Sequence, residues 1–154
     1  MDYITAAGIT VGILAGIWIH CSGIIAISTF AGFLGWASYF AAGGKREGGL
    51  RAACGNLSGV CWGLATLWVK GLLPPSLGLV VMMIAAAAMC WQAKIGFLSY
   101  IPATFIGNAC FYANNADPMN SAVGLIIGIA LGFLSDYGAQ YVSRHKFFTR
   151  ERRE

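Results

Sequence analysis

Charged positions are so sparse along this chain that they act as punctuation between apolar runs. Uncharged stretches extend from Tyr3 to Gly44, Ala52 to Val69, Gly71 to Ala93, Ile95 to Ala116 and Pro118 to Ser135. A membrane-spanning helix needs about 20 predominantly apolar residues, so the first stretch holds two spans and each of the others one. The pattern predicts an all-α integral membrane protein with six short transmembrane helices, at 4–20, 23–42, 50–70, 76–92, 95–114 and 120–142. The expected breaks have turn chemistry: His20-Cys21-Ser22-Gly23, the charged glycine-rich run 43–49, Leu73-Pro74-Pro75-Ser76, Gln92 to Gly96, and Asn114 to Asn120 with Asp117-Pro118. Met1 to Thr10 enters the first span without a basic region, so that helix is expected to be retained rather than cleaved.

Composition agrees. Of 154 residues, 58% are hydrophobic and 10% charged, against about a quarter charged in a soluble domain. The net charge of +4 would suit an acidic partner, yet five of the ten basic residues crowd into Arg144 to Arg153. The tail 143–154, with Phe147-Phe148 among those cations, is read as an inner-leaflet contact and not as a nucleic-acid site. In the six-helix arrangement Lys45, Arg46, Arg51, Lys94 and the tail cations fall on one side and Lys70 alone on the other. The positive-inside rule then places both termini in the cytoplasm.

The transmembrane region, 1–142, repeats itself. Phe33 to Ala41 aligns without gaps on Phe105 to Ala113, and Gly55, Gly59 and Gly63 return as Gly124, Gly128 and Gly132 once the intervening connection is shortened by three residues. Units at 1–72 and 73–142 follow. With three helices each, the second enters the bilayer from the opposite side, giving a 3+3 inverted repeat, the frame many transporters build around a midplane site.

Candidate functional positions come from polar and small residues inside the spans. Glycines spaced by four (Gly8, Gly12, Gly16; Gly55, Gly59, Gly63; Gly124, Gly128, Gly132) put a small-residue ladder on one face of helices 1, 3 and 6, either for close packing or for a narrow path where helices 3 and 6 cross. Asn56, Ser58, Thr104, Asn108, Gly59 and Gly128 are the candidate pore or solute-lining residues, against a reading of the amides as interhelical hydrogen bonds. Pro102 is expected to open the helix near Thr104 and Asn108 or merely to kink it. Tyr39, Phe40, Phe111 and Tyr112 are matched aromatic pairs, candidate gates or mouths, against interfacial anchoring. Asp136, the one carboxylate within a span, and His20 are the candidate ionisable groups.

The five cysteines show neither a disulfide framework nor a zinc-ligand spacing, so no metal or other cofactor is expected. No nucleophile, base or carboxylate pair points to an enzyme.

Gly35-Trp36-Ala37-Ser38-Tyr39-Phe40-Ala41-Ala42-Gly43-Gly44, followed by Gly55-Asn56-Leu57-Ser58-Gly59-Val60-Cys61-Trp62-Gly63, resembles a family of small bacterial inner-membrane proteins exemplified by YcdZ of enterobacteria. The resemblance covers almost the full chain and implies a bacterial inner-membrane location, with no functional residues to carry over. The leading expectation is a channel or facilitator for a small neutral or weakly charged solute, because polar lining without buried charge suits passage of uncharged molecules. An ion channel or ion-coupled transporter using Asp136 or His20 is the first alternative, and a nontransporting scaffold or accessory subunit the second. Six short helices wall only a narrow pore, so homo-oligomers in the lipid bilayer are expected.

Overall fold

The computed structural model describes residues 2–150, with side chains through Ser143. Its described residues form six α-helices and three short 3₁₀ turns: α1 (Tyr3–Ile24), α2 (Thr29–Ala41), α3 (Lys45–Leu72), α4 (Gly78–Trp91), α5 (Ile101–Ala113) and α6 (Pro118–Arg150). The six expected helices are present, but among the described residues only four stretches are long and apolar enough to cross a membrane: Tyr3–Ile24, Lys45–Leu72, Pro75–Lys94 and Pro118–Ser143. At 13 residues each, α2 and α5 are about 20 Å long, short of the roughly 30 Å hydrocarbon core. The expected basic tail lies almost wholly beyond the described side chains.

Local chemistry explains where the boundaries moved. Asp2 caps α1, its carboxylate accepting from the Thr5 amide at 2.7 Å, a contact that holds the Asp2 carboxyl below its ordinary pKa. The turn expected at His20 to Gly23 is instead the last turn of α1, because the Ser22 hydroxyl bonds back to the Ile19 carbonyl and across to Thr29 at 2.6 Å. The chain reverses farther on, through Ala26 at φ 54°, and Ser28 starts α2 by capping the Ala31 amide. Gly43 and Gly44, at φ 97° and 64°, make the turn into α3, which begins at Lys45. Pro102 falls in the first turn of α5, where its missing N–H would have had no helical partner, so it neither opens nor kinks the helix.

Two helix crossings organise the molecule. Along α2 and α6, Ala31 meets Gly124, the Gly32 carbonyl meets Gly128, and the Tyr39 ring covers Gly132. Along α5 and α3, Ala103 meets Gly55, the Thr104 carbonyl meets Gly59, and the Phe111 ring covers Gly63. Contacts advance in the same direction on both members of each pair, so each short helix runs parallel to its long partner. In return, Gly35 lies on the Leu125 carbonyl and Gly107 on the Asn56 carbonyl, so close that a Cβ at either would overlap backbone. The two glycine ladders thus pack against α5 and α2, not against one another. α1 flanks the first crossing antiparallel to α6, with Thr10 on the Ser135 carbonyl and the Trp18 indole over Gly32.

Candidate functional site

The second crossing lacks a flank equivalent to α1. α4 runs antiparallel to α3 from Gly78, beside Lys70, and its last α-helical residue is Trp91. The next residue, Gln92, lies opposite Ser58, which has thirteen residues of α3 before it and fourteen after. The chain then passes through two 3₁₀ turns, Gln92–Lys94 and Gly96–Leu98, before α5 begins. α4 therefore covers only half of α3. Irregular backbone at such a level in a membrane protein is tolerated where protein or a water-filled cavity meets its polar groups.

Gln92 is held at that point by residues from two other helices. Its Oε1 accepts from the Trp62 indole Nε1 at 2.7 Å, while its Nε2 donates to Thr104 Oγ1 at 2.6 Å and to Ser58 Oγ at 3.1 Å. The Ser58 hydroxyl donates to the Gly55 carbonyl at 2.9 Å and lies 3.3 Å from the Thr104 hydroxyl. An open cleft of about 460 Å³ adjoins this set, lined by Ser58, Cys61, Trp62, Ala65, Gln92, Ile95 and Leu98. Its accessible wall is almost wholly apolar, the Gln92 amide and the Ser58 and Thr104 hydroxyls being engaged with one another behind it.

The other sequence candidates are spread out. Asn56 is fully buried and faces α2, its Oδ1 accepting from the Ser38 hydroxyl at 3.0 Å and its Nδ2 having no hydrogen-bond partner. The half-buried Asn108 Nδ2 reaches the Gly59 carbonyl only at 3.5 Å. Gly59 and Gly128 lie under the Thr104 and Gly32 carbonyls, leaving no room for a path at those positions. Of the lining set, then, Ser58 and Thr104 come together, and Gln92 and Trp62 complete their cluster. Sequence reasoning had placed Gln92 in a connection; the signal for it was an amide at the end of an apolar run.

The aromatic pairs share one geometry, edge to face at 5.2 Å for both Tyr39 with Phe40 and Phe111 with Tyr112. Tyr39 and Phe111 are buried over glycines, Phe40 is partly exposed, and the Tyr112 hydroxyl approaches the Gly63 carbonyl at 3.4 Å.

Asp136, 7% exposed, accepts from the Tyr3 phenol at 2.7 Å, the Tyr39 phenol at 2.9 Å and the Gln140 amide at 3.0 Å. It joins α1, α2 and α6 at the end of the molecule that carries the α2–α3 turn, its Oδ2 facing Gly44. Nearby, the Trp36 indole donates to Ser135 Oγ at 3.0 Å. His20 is exposed on α1, far along the helix from this cluster. Among the described residues no group of three or more His, Cys, Asp or Glu is placed to hold a metal ion.

No solved structure matches the chain. It is 38% identical to the inner membrane protein YcdZ of Escherichia coli over 85% of both chains, and 38% identical to YcdZ of Salmonella typhimurium over 85% of this chain and 86% of that one. An uncharacterized protein of Escherichia coli, YahC, is 31% identical over 93% of this chain and 94% of its own length. Residues 8–140 match the family described as protein of unknown function (DUF1097). With a match over most of its length and relatives of nearly equal extent, this chain of apolar, glycine-packed helices belongs to the DUF1097 family of membrane proteins.

Proposed function

We propose that the protein is an inner-membrane facilitator for a small neutral or weakly charged polar solute, with Gln92, Ser58 and Thr104 marking the solute site. The observation that carries this reading is the end of α4 opposite the middle of α3, where Gln92 hydrogen-bonds Trp62, Ser58 and Thr104 beside the cleft. Solute sites in transporters are typically formed where membrane helices are discontinuous, near the middle of the bilayer. A site built from amide and hydroxyl groups without a fixed charge selects hydrogen-bonding, uncharged molecules such as urea, ammonia or a short amide.

Two further features support the reading. The reciprocal contacts of the two crossings, Ala31–Gly124 with Ala103–Gly55 and Tyr39–Gly132 with Phe111–Gly63, follow the sequence match between 1–72 and 73–142. Within this reading the units form a 3+3 inverted repeat, because α2 and α6 run one way and α3 and α5 the other. The start of α1, the α2–α3 turn with Lys45 and Arg46, and Asp136 lie at one end of the molecule, and the positive-inside rule assigns that end to the cytoplasm.

The test is solute-driven volume change in proteoliposomes, with urea, ammonia, short amides and polyols as solutes and with potassium and proton flux followed in parallel. Gln92→Leu and Thr104→Val should reduce selective neutral flux to near the empty-vesicle rate while the protein stays folded. Ion currents unaffected by either substitution would overturn the neutral-solute reading.

A specific observation favours a second reading, that of a scaffold or accessory subunit. Gly8, Gly12 and Gly16 on α1 have nothing within 4 Å of where a Cβ would sit, which leaves a small-residue stripe free for another helix. A homo-oligomer built on that stripe fits both readings. Absence of flux from folded protein, with one stoichiometric partner retained on purification, would favour the scaffold.

A further inference from the structure

At the end of the molecule opposite the start of α4, two cavities share a wall. One, of about 490 Å³, lies between α3 and α6 and is lined by Tyr39, Gly49, Ala53, Ile129, Ala130 and Phe133, with Lys45 and Arg46 at its mouth. Its rim includes Leu50, Ile126 and Leu134, which are 57%, 40% and 55% exposed and face outward from the helix pair. The other, of about 500 Å³, is the polar cup around the α2–α3 turn, lined by Ala42 to Gly48 together with Arg51. Lys45 and Arg46 border both.

The two compartments differ in chemistry along one continuous surface. The cup brings together the cations Lys45, Arg46 and Arg51 and the single carboxylate of Glu47, an excess of two positive charges. The Asp136 carboxylate, bonded by the neutral donors Tyr3, Tyr39 and Gln140, keeps its charge and faces Gly44 at the inner edge of the cup, which leaves a net excess of one positive charge there. The groove beside it offers aliphatic and aromatic walls that open sideways, where a membrane protein meets acyl chains. A cationic cup joined to a lateral apolar groove complements a molecule with an anionic head and a hydrocarbon tail.

We propose that these joined cavities hold an anionic glycerophospholipid, its phosphate at Lys45, Arg46 and Arg51 and one acyl chain in the groove between α3 and α6. Basic pockets between membrane helices recognise such headgroups because attraction to the phosphate adds to apolar burial of the chain. The site lies on a different face from Gln92 and does not depend on the transport reading. It would fasten the α2–α3 turn to α6.

Native mass spectrometry of the full chain, released from micelles doped with equal amounts of phosphatidylglycerol and phosphatidylcholine of matched chains, tests this directly. The wild type should retain one phosphatidylglycerol in preference to phosphatidylcholine. Lys45→Gln and Arg46→Gln should each cut that preference about fivefold, the effect expected per surface cation. Ala130→Phe, which fills the groove and leaves the cations in place, should lower retention of both lipids. Helical content and melting temperature of each variant establish that it is folded. Equal retention of the two lipids by the wild type would overturn the proposal, as would an undiminished preference in folded Lys45→Gln and Arg46→Gln variants. Photocrosslinking from position 130 that captured a second copy of the chain instead of lipid would overturn it too.

Discussion

At the crossing of α2 with α6, the Tyr39 and Tyr3 phenols close on Asp136, Trp36 closes on Ser135, and α1 runs alongside. At the crossing of α5 with α3, the residue over the glycine is Phe111, the position matching Trp36 is Asn108, and the flanking helix stops at Trp91. Backbone approaches in the two are nearly interchangeable: Gly35 on the Leu125 carbonyl answers Gly107 on the Asn56 carbonyl, and Gly128 under Gly32 answers Gly59 under Thr104. The difference lies in the side chains. The first crossing is sealed by hydrogen bonds from three helices, whereas the second presents Gln92, Ser58 and a cleft. Small residues thus set a common frame, and departures from it mark where a solute site is to be sought.

The largest effects should come from the frame itself. Gly35→Ala and Gly107→Ala each drive a methyl into backbone that cannot retreat without separating the helices, so each should destabilise by about 3 kcal/mol in reversible detergent unfolding. Gly12→Ala, with nothing nearby, should change monomer stability by less than about 0.5 kcal/mol. If Gly35→Ala were tolerated while Gly107→Ala was not, the two crossings would not be equivalent supports.

The seal of the first crossing should account for the next largest effect. Asp136→Asn replaces a carboxylate that accepts three hydrogen bonds with an amide able to accept fewer, leaving the buried Tyr39 phenol or the exposed Tyr3 phenol short of a partner; a loss of about 2 kcal/mol is expected. Tyr39→Phe makes the position resemble Phe111 and should remove about 1 kcal/mol, since one donor to a charged acceptor is lost without orphaning another. Equal stability of wild type and Asp136→Asn would mean that the cluster is a loosely held polar surface and that the contrast between the crossings is overstated.

Much of this frame was legible in the sequence. The match of Phe33 to Ala41 with Phe105 to Ala113, and of the two glycine ladders, anticipated which helices would carry equivalent contacts, because close packing leaves a residue-size signature. Which helix lies on which glycine was not legible: a ladder says that a backbone comes near, not whose. The end of α1 at Ile24 was missed, and the break at Gln92 was placed without its partners, for a related reason. Ser22 satisfies its hydroxyl within α1 and extends the helix, whereas Gln92 depends on Trp62, Ser58 and Thr104, partners distant in sequence. Ser58 and Thr104 were named from their polarity alone, and their joining through Gln92 required the fold.

Asn56 gives the most discriminating test. Its counterpart in the first crossing is Leu125, which is fully buried and has no polar side-chain group to satisfy. Asn56 accepts from Ser38 yet leaves Nδ2 without a partner, an arrangement that desolvates a donor for no return in packing. The double substitution Asn56→Leu with Ser38→Ala removes both halves of the pair, so the protein should gain about 1 kcal/mol in unfolding free energy. A loss of similar size would mean that Nδ2 is bonded in the membrane-embedded protein, with bound water or solute as its partner. Measured beside flux, the same double variant separates two roles. Higher stability with unchanged transport confines Asn56 to packing, whereas higher stability with reduced transport identifies the unpaired amide as part of the solute path.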